Sequence, residues 1–226
     1  MNRLFKIIPL VLGMLMLYSA TNAQVIIDYY NLLADYDDDI RLHKLTEKDN
    51  QWFTQNSDGK TIKVIVDKKN NFLEIKDKEK ESSFSLQICL LKKSNGDKLI
   101  ALAKNHKDIF LHGEIHILKF RNGRWNDLTE QIMPQINYKE FTEENIGLAT
   151  SKFNPQLNHE LEFGYQLPEQ GTTITAQMQT KRLKNKCANN DESVLKYCES
   201  LNEIAYTSID LKWNSKEGIF IVSDKR

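Results

Sequence analysis

Two periodicities divide the chain. From Asp28 to Tyr36, apolar side chains recur at helical spacing, with Tyr29, Leu32, Leu33 and Tyr36 near one side, which predicts a short helix. From Thr61 onward the period shortens to that of a strand. Ile62, Val64 and Val66 alternate with Lys63 and Asp67, and a Lys68–Asn71 turn leads into Phe72–Ile75. Ser83–Leu91 and Lys98–Ala103 flank Asn95-Gly96, and Ile115–Phe120 and Arg124-Trp125 flank Asn122-Gly123. Both Asn-Gly pairs predict hairpin turns. Asp127 with Glu130 three positions on resembles a capping box for a short helix that ends by Pro134. A weaker helical pattern covers Tyr138–Ile146, and strands return at Ile174–Met178, Ile204–Trp213 and Ile219–Val222. The predicted class is β-rich α+β, with antiparallel sheets built from hairpins and meanders and a few short helices.

Asp58–Val66 aligns loosely with Gln170–Met178 after a shared glycine, a pattern compatible with two similar halves. The expected division is residues 24–134 for a helix plus meander and 135–226 for a second β-rich half, with the option that both form one core.

The N-terminus reads as an address. Arg3 and Lys6 precede an apolar run from Ile7 to Leu17 and the small-residue tail Ser19–Ala23, the layout of a secretory signal peptide cleaved near Ala23-Gln24. That run is too short for a bilayer span, which takes roughly 20 residues. The expected location is therefore the periplasm or the medium, with no membrane embedding after cleavage. The lack of an Asn-x-Ser/Thr sequon fits a bacterial source.

An oxidising compartment changes how cysteine is read. Of the 3 cysteines, Cys187 and Cys198 lie 11 apart, and Cys198 falls within a short predicted helix over Glu192–Leu201, capped by Asn190 or Asp191, with Val194, Cys198 and Leu201 on one face. Their disulfide is expected to pin that helix to the preceding strand. Cys89 lies in the apolar run Phe84–Leu91 and is expected as a buried free thiol.

Charge narrows the partner. The 226 residues carry 31 Lys+Arg against 31 Asp+Glu, without the basic excess of a nucleic-acid binder. The clusters Lys68-Lys69, Lys92-Lys93 and Lys181–Lys186 read as solvated turns and edges. No Gly-x-Gly-x-x-Gly loop, Walker loop or Gly-x-Ser-x-Gly elbow is present, and no cofactor or catalytic residue is assigned.

The sharpest chemical candidate is His112-Gly-Glu-Ile-His116. On a strand His112, Glu114 and His116 share a face, and two imidazoles with a carboxylate suit a divalent metal with an open position. Same-face neighbours stand roughly 6–7 Å apart, however, which strains binding to one ion. Asp35–Asp39 offers alternating carboxylates but lacks EF-hand spacing, since Ile40 and Thr46 occupy the Gly and Glu positions. Trp125 and Trp213 sit at or near hairpins and are expected to face inward.

These features together predict a secreted or periplasmic non-enzymatic binding protein of inhibitor, immunity or envelope-associated type, with a protein or envelope-glycan partner. The alternative is a small metal-assisted hydrolase using His112, Glu114 and His116.

Overall fold

The computed structural model describes residues 26–78, 82–108, 111–142 and 163–226, so the signal segment and its cleavage point lie outside the described residues. The predicted β-rich α+β class is the one observed. Helices α1 (Ile26–Leu33) and α2 (Asp38–Leu42) precede an antiparallel meander. Its strands are β1 (Thr46–Lys48), β2 (Gln51–Gln55), β3 (Thr61–Asp67), β4 (Phe72–Lys78), β5 (Ser83–Lys92), β6 (Lys98–Lys107), β7 (Leu111–Arg121) and β8 (Arg124–Asp127). They form one sheet in sequence order. After α3 (Thr129–Ile132) and a 3-10 turn at Tyr138–Phe141 come β9 (Gly164–Gln166), β10 (Thr173–Gln177), α4 (Thr180–Ala188), α5 (Cys198–Asn202), β11 (Ser208–Asn214) and β12 (Ile219–Lys225). The last four strands make a second antiparallel sheet in the order β12-β11-β10-β9.

The apolar run in β5 is continuous because both its faces are buried. Leu86 and Ile88, with Leu73, Ile75, Ile100, Leu102 and Leu118, face Tyr30, Leu33 and Ile40 of the helix layer. Cys89 and Leu91, with Ala101, Ala103 and Ile117, face Ile174, Ala176, Leu211 and Trp213 of the second sheet. The result is three layers, helices on a large sheet on a small sheet, and residues from both halves of the chain share the second core. The small side chains Ala101, Ala103 and Ala176 stand where the sheets meet.

At Gly113 the approach is closest. A Cβ there would lie 2.4 Å from Gly164 Cα, and β9 accordingly touches both β6 and β7. Two polar links cross the same gap. Glu74 is buried and accepts a very short hydrogen bond from Gln87 Nε2, while Gln87 Oε1 accepts the Leu167 N–H at 2.9 Å. Asn105 engages the backbone of Tyr165 through both ends of its amide. Such bonds satisfy polar groups that the core would otherwise strand.

Turn chemistry explains the meander. Asn122 and Gly123 both take positive φ (54° and 75°), the geometry of a two-residue hairpin turn between Arg121 and Arg124. Asp49 and Asn50 do the same (52° and 59°) between β1 and β2, a hairpin the apolar pattern does not announce.

The predicted helix over Asp28–Tyr36 begins earlier and stops at Leu33. Asp37 then caps α2, accepting from Asp39 N at 3.0 Å and Ile40 N at 3.2 Å. The second half departs from expectation in two places. Helix α4 follows β10 directly, so the disulfide between Cys187 and Cys198 joins helix to helix rather than helix to strand. The Glu192–Leu201 helix is broken, with a 3-10 turn at Leu195–Tyr197 before α5, although Val194 and Leu201 are buried as its pattern requires. Asp191 bonds Lys186 Nζ at 2.6 Å and the Ser193 N–H at 3.0 Å. Lys186 first and Ser193 second hold its carboxyl down to about 2. Of the Tyr138–Ile146 helix, Tyr138–Phe141 is a 3-10 turn and residues 143–146 lie outside the described residues.

Candidate functional site

Strand alternation does put His112, Glu114 and His116 on one face of β7, the face that carries the helix layer. There they are engaged one at a time. Glu114 Oε2 lies 3.5 Å from Lys104 Nζ on the neighbouring strand. His116 Nδ1 lies 2.8 Å from Asp127 Oδ2, and that same oxygen accepts the Tyr36 hydroxyl at 3.1 Å. His112 stands opposite His106 in the β6–β7 register. Among the described residues no three His, Cys, Asp or Glu side chains are grouped to hold a metal ion. The three expected ligands instead meet a lysine, an aspartate and a strand partner.

The acidic run Asp35–Asp39 is likewise organised by protein groups. Asp37 Oδ2 and Asp39 Oδ2 bind Lys104 Nζ at 3.0 and 3.2 Å, and Asp38 pairs with Arg41 at 3.1 Å. Burial opposes the Lys104 ammonium, but Asp37 and Asp39 outweigh it and hold the group above the ordinary lysine range. Burial also works against the Asp127 carboxylate. Hydrogen bonds from Thr129 and His116 prevail and keep it below the usual value. Tyr36 is pushed up to about 12, by burial first and by Asp127 second. These contacts clamp the α1–α2 turn onto β6, β7 and β8.

Asp127 does not complete the expected capping box. It accepts from Thr129 N at 2.9 Å and from Thr129 Oγ1 at 2.5 Å, while Leu128 occupies the cap position. The two tryptophans serve packing. Trp213 is buried and donates its indole N–H to Lys92 O at 3.0 Å, tying the β11–β12 sheet to the β5–β6 hairpin. Trp125 is half-buried and donates to Leu32 O at 3.0 Å, holding α1 to β8. Cys89 is buried, and burial pushes its thiol up to about 12, far from a reactive thiolate.

The feature best suited to a ligand was not singled out by the sequence. Beside the Lys104 clamp, at the end of the large sheet, a cavity of about 650 Å³ opens between α2, the β2–β3 turn and the ends of β4, β5 and β6. That volume lies within the range of small-molecule sites. Phe84 lines it together with two imidazole rings. The His43 ring stacks on Phe84 with centroids 5.5 Å apart and planes at 20°, and His106 tilts against it at 4.9 Å. Leu42 adds an apolar wall that is 74% exposed.

Polar groups surround the rings. His43 Nδ1 meets Asp39 O at 2.6 Å, which leaves Nε2 open, and Asp77 accepts from Asn56 Nδ2 at 2.9 Å through one oxygen only. The His106 nitrogens and the Ser57 and Ser83 hydroxyls have no hydrogen-bond partner among the described residues, and Asp77 Oδ1 has none either. A second hollow of about 210 Å³ shares Ser83, Phe84 and Lys107 with the first and extends to Tyr165, Gln177 and Gln179.

Neither a protein-family model nor a curated protein matches the sequence. Among solved structures the chain is similar to a structure described as that of a domain of an uncharacterized protein from Porphyromonas gingivalis W83. The TM-score is 0.51 at 13% identity, over 80% of this chain and 79% of that one. At that identity the likeness is one of fold.

Proposed function

We propose that this chain is an extracytoplasmic, non-enzymatic binding protein whose ligand, a protein segment or glycan of the cell envelope, seats in the cavity around His43, Phe84 and His106. The observation that carries the reading is the cavity's chemistry. An aromatic stack sits beside the Ser57 and Ser83 hydroxyls, the His106 nitrogens and Asp77 Oδ1, which have no hydrogen-bond partner among the described residues, the combination by which binding sites orient a ligand.

The leader-like N-terminus and the disulfide support an extracytoplasmic setting. No helix among the described residues is long and apolar enough to cross a membrane.

Retention of the exported protein on washed envelopes of its host tests the reading, with His106→Ala as the comparison. His106 is exposed, so its loss leaves the core intact. The expected result is retention of wild type and at least tenfold weaker retention of the variant. Equal retention of both, or none of either, overturns the proposal. N-terminal sequencing of the same material should begin at Gln24.

A further inference from the structure

We infer that the ligand of this cavity is a neutral, hydroxyl-rich oligosaccharide that lies across the Phe84 ring from the larger hollow into the smaller one. The inference rests on the binding reading above and names its ligand class.

The hydrogen-bonding groups set the class. The Ser57 and Ser83 hydroxyls and the His106 nitrogens can each donate or accept, depending on rotamer or tautomer, while His43, whose Nδ1–H donates to the Asp39 carbonyl, offers Nε2 as an acceptor. A sugar hydroxyl also does both, whereas an ammonium only donates and a carboxylate only accepts. Asp77 Oδ1 adds a fixed acceptor, and the Gln177 and Gln179 amides of the second hollow supply both functions again. The flat rings of His43, Phe84 and His106 offer an apolar surface to the C–H face of a pyranose.

Charge favours a ligand without net charge. The larger hollow is lined by Asp39, Asp77 and Asp108 with Lys107, and the smaller by Lys76, Lys78 and Lys107 with no carboxylate, so over the whole trough three acids meet three lysines. An anionic chain spanning both hollows meets carboxylates at one end and lysines at the other, whereas a neutral chain meets no opposing charge at either.

Shape favours a chain over a single ring. Ser83 and Lys107 are the terminal pair of the β5–β6 ladder, and both hollows include them, so the combined trough runs over the end of the sheet. Tyr165 of β9 stands in the smaller hollow, which brings the second sheet into the same site.

Calorimetric titration of the exported protein tests this, using neutral tetrasaccharides of β-1,4-glucose, β-1,4-N-acetylglucosamine, α-1,4-glucose and β-1,4-mannose. Tetragalacturonate and trialanine serve as anionic and zwitterionic comparators. At least one neutral tetrasaccharide should bind tenfold or more tightly than either comparator. His106→Ala and Asp77→Asn should each weaken that binding at least tenfold without changing the melting temperature. Gln177→Ala should weaken the tetrasaccharide and leave the matching disaccharide unchanged.

Binding of tetragalacturonate or trialanine alone, or neutral-sugar binding indifferent to His106→Ala, overturns the ligand class. So does silence from every probe. In each of those cases envelope retention that still depends on His106 leaves the binding reading standing, so the two failures are distinguishable.

Discussion

Asn105 holds both backbone groups of Tyr165: its Nδ2 donates to the Tyr165 carbonyl at 2.8 Å, and its Oδ1 accepts the Tyr165 N–H at 2.8 Å. One side-chain amide thereby substitutes for a strand neighbour and fixes where the small sheet docks on the large one. Gly113 makes the approach possible, because any Cβ there would collide with Gly164 and with Asn105 Oδ1 at 2.7 Å. Asn105→Ala should cost about 2 kcal/mol, since two backbone groups lose their partner. Gly113→Ala should cost at least as much through the collision. Urea denaturation reads both, and the sheet-docking account fails if either variant is as stable as wild type.

The Cys187–Cys198 bridge closes a short loop between α4 and α5, with Cα atoms 5.7 Å apart. Replacing both cysteines by serine should lower stability by about 3 kcal/mol in the chain-entropy view. Cys89 should stay unreactive toward a thiol reagent until the chain unfolds, because it is buried and its thiol is pushed up to about 12. Rapid labelling of the native protein would contradict that placement.

How far the sequence discloses this architecture differs from element to element. The Asn122-Gly123 hairpin is legible because its residue types demand positive φ at both positions. The Asp49-Asn50 hairpin has the same backbone, yet every residue of β1 is exposed, so no apolar alternation marks it. The β5 run reads as a strand, but nothing local says that helices cover one face and a second sheet the other. The cysteine pair is legible from spacing, whereas its helix-to-helix geometry depends on where α4 begins. Within the site, Phe84 and His106 are direct partners in the β5–β6 register, and Asp77 is the partner of Phe84 on β4. Counting outward from a two-residue Asn95-Gly96 turn pairs Phe84 with Lys107, one position off, because the loop between Lys93 and Asp97 holds three residues. No such count reaches His43, which arrives from the helix layer through tertiary packing alone.

Lys104 lies at the centre of the clamp, with its side chain 15% exposed and Asp37 beside it at 7%. Lys104→Met leaves the Asp37 carboxylate buried without its cation and should destabilise the protein by about 3 kcal/mol. Asp37→Asn on the same background should recover part of that loss, since the stranded charge is then gone. A double-mutant cycle measures the coupling, and an additive result would remove Lys104 from its role in seating the helix layer.

Acid should act on the neighbouring contact. The native Asp127 carboxyl titrates below its ordinary value of 3.8. Its stabilisation is therefore present above that value and lost as pH falls through the depressed native one. Asp127→Asn should accordingly be less stable than wild type near neutrality, with the gap closing as pH falls from about 5 to about 2. Melting temperatures across that window read the effect. A gap that persists unchanged to the acid end would show that Asp127 acts by packing rather than by charge.

A ligand seated at the His43–Phe84–His106 stack perturbs the two imidazole rings there. The chain has 5 histidines, and His116, bonded to Asp127 away from the cavity lining, provides an internal control. The most direct measurement follows the histidine ring resonances while soluble fragments of the host envelope are titrated into the labelled protein. The His43 and His106 signals should move together and saturate, with His116 unmoved. Saturable binding that leaves His43 and His106 in place would contradict the account.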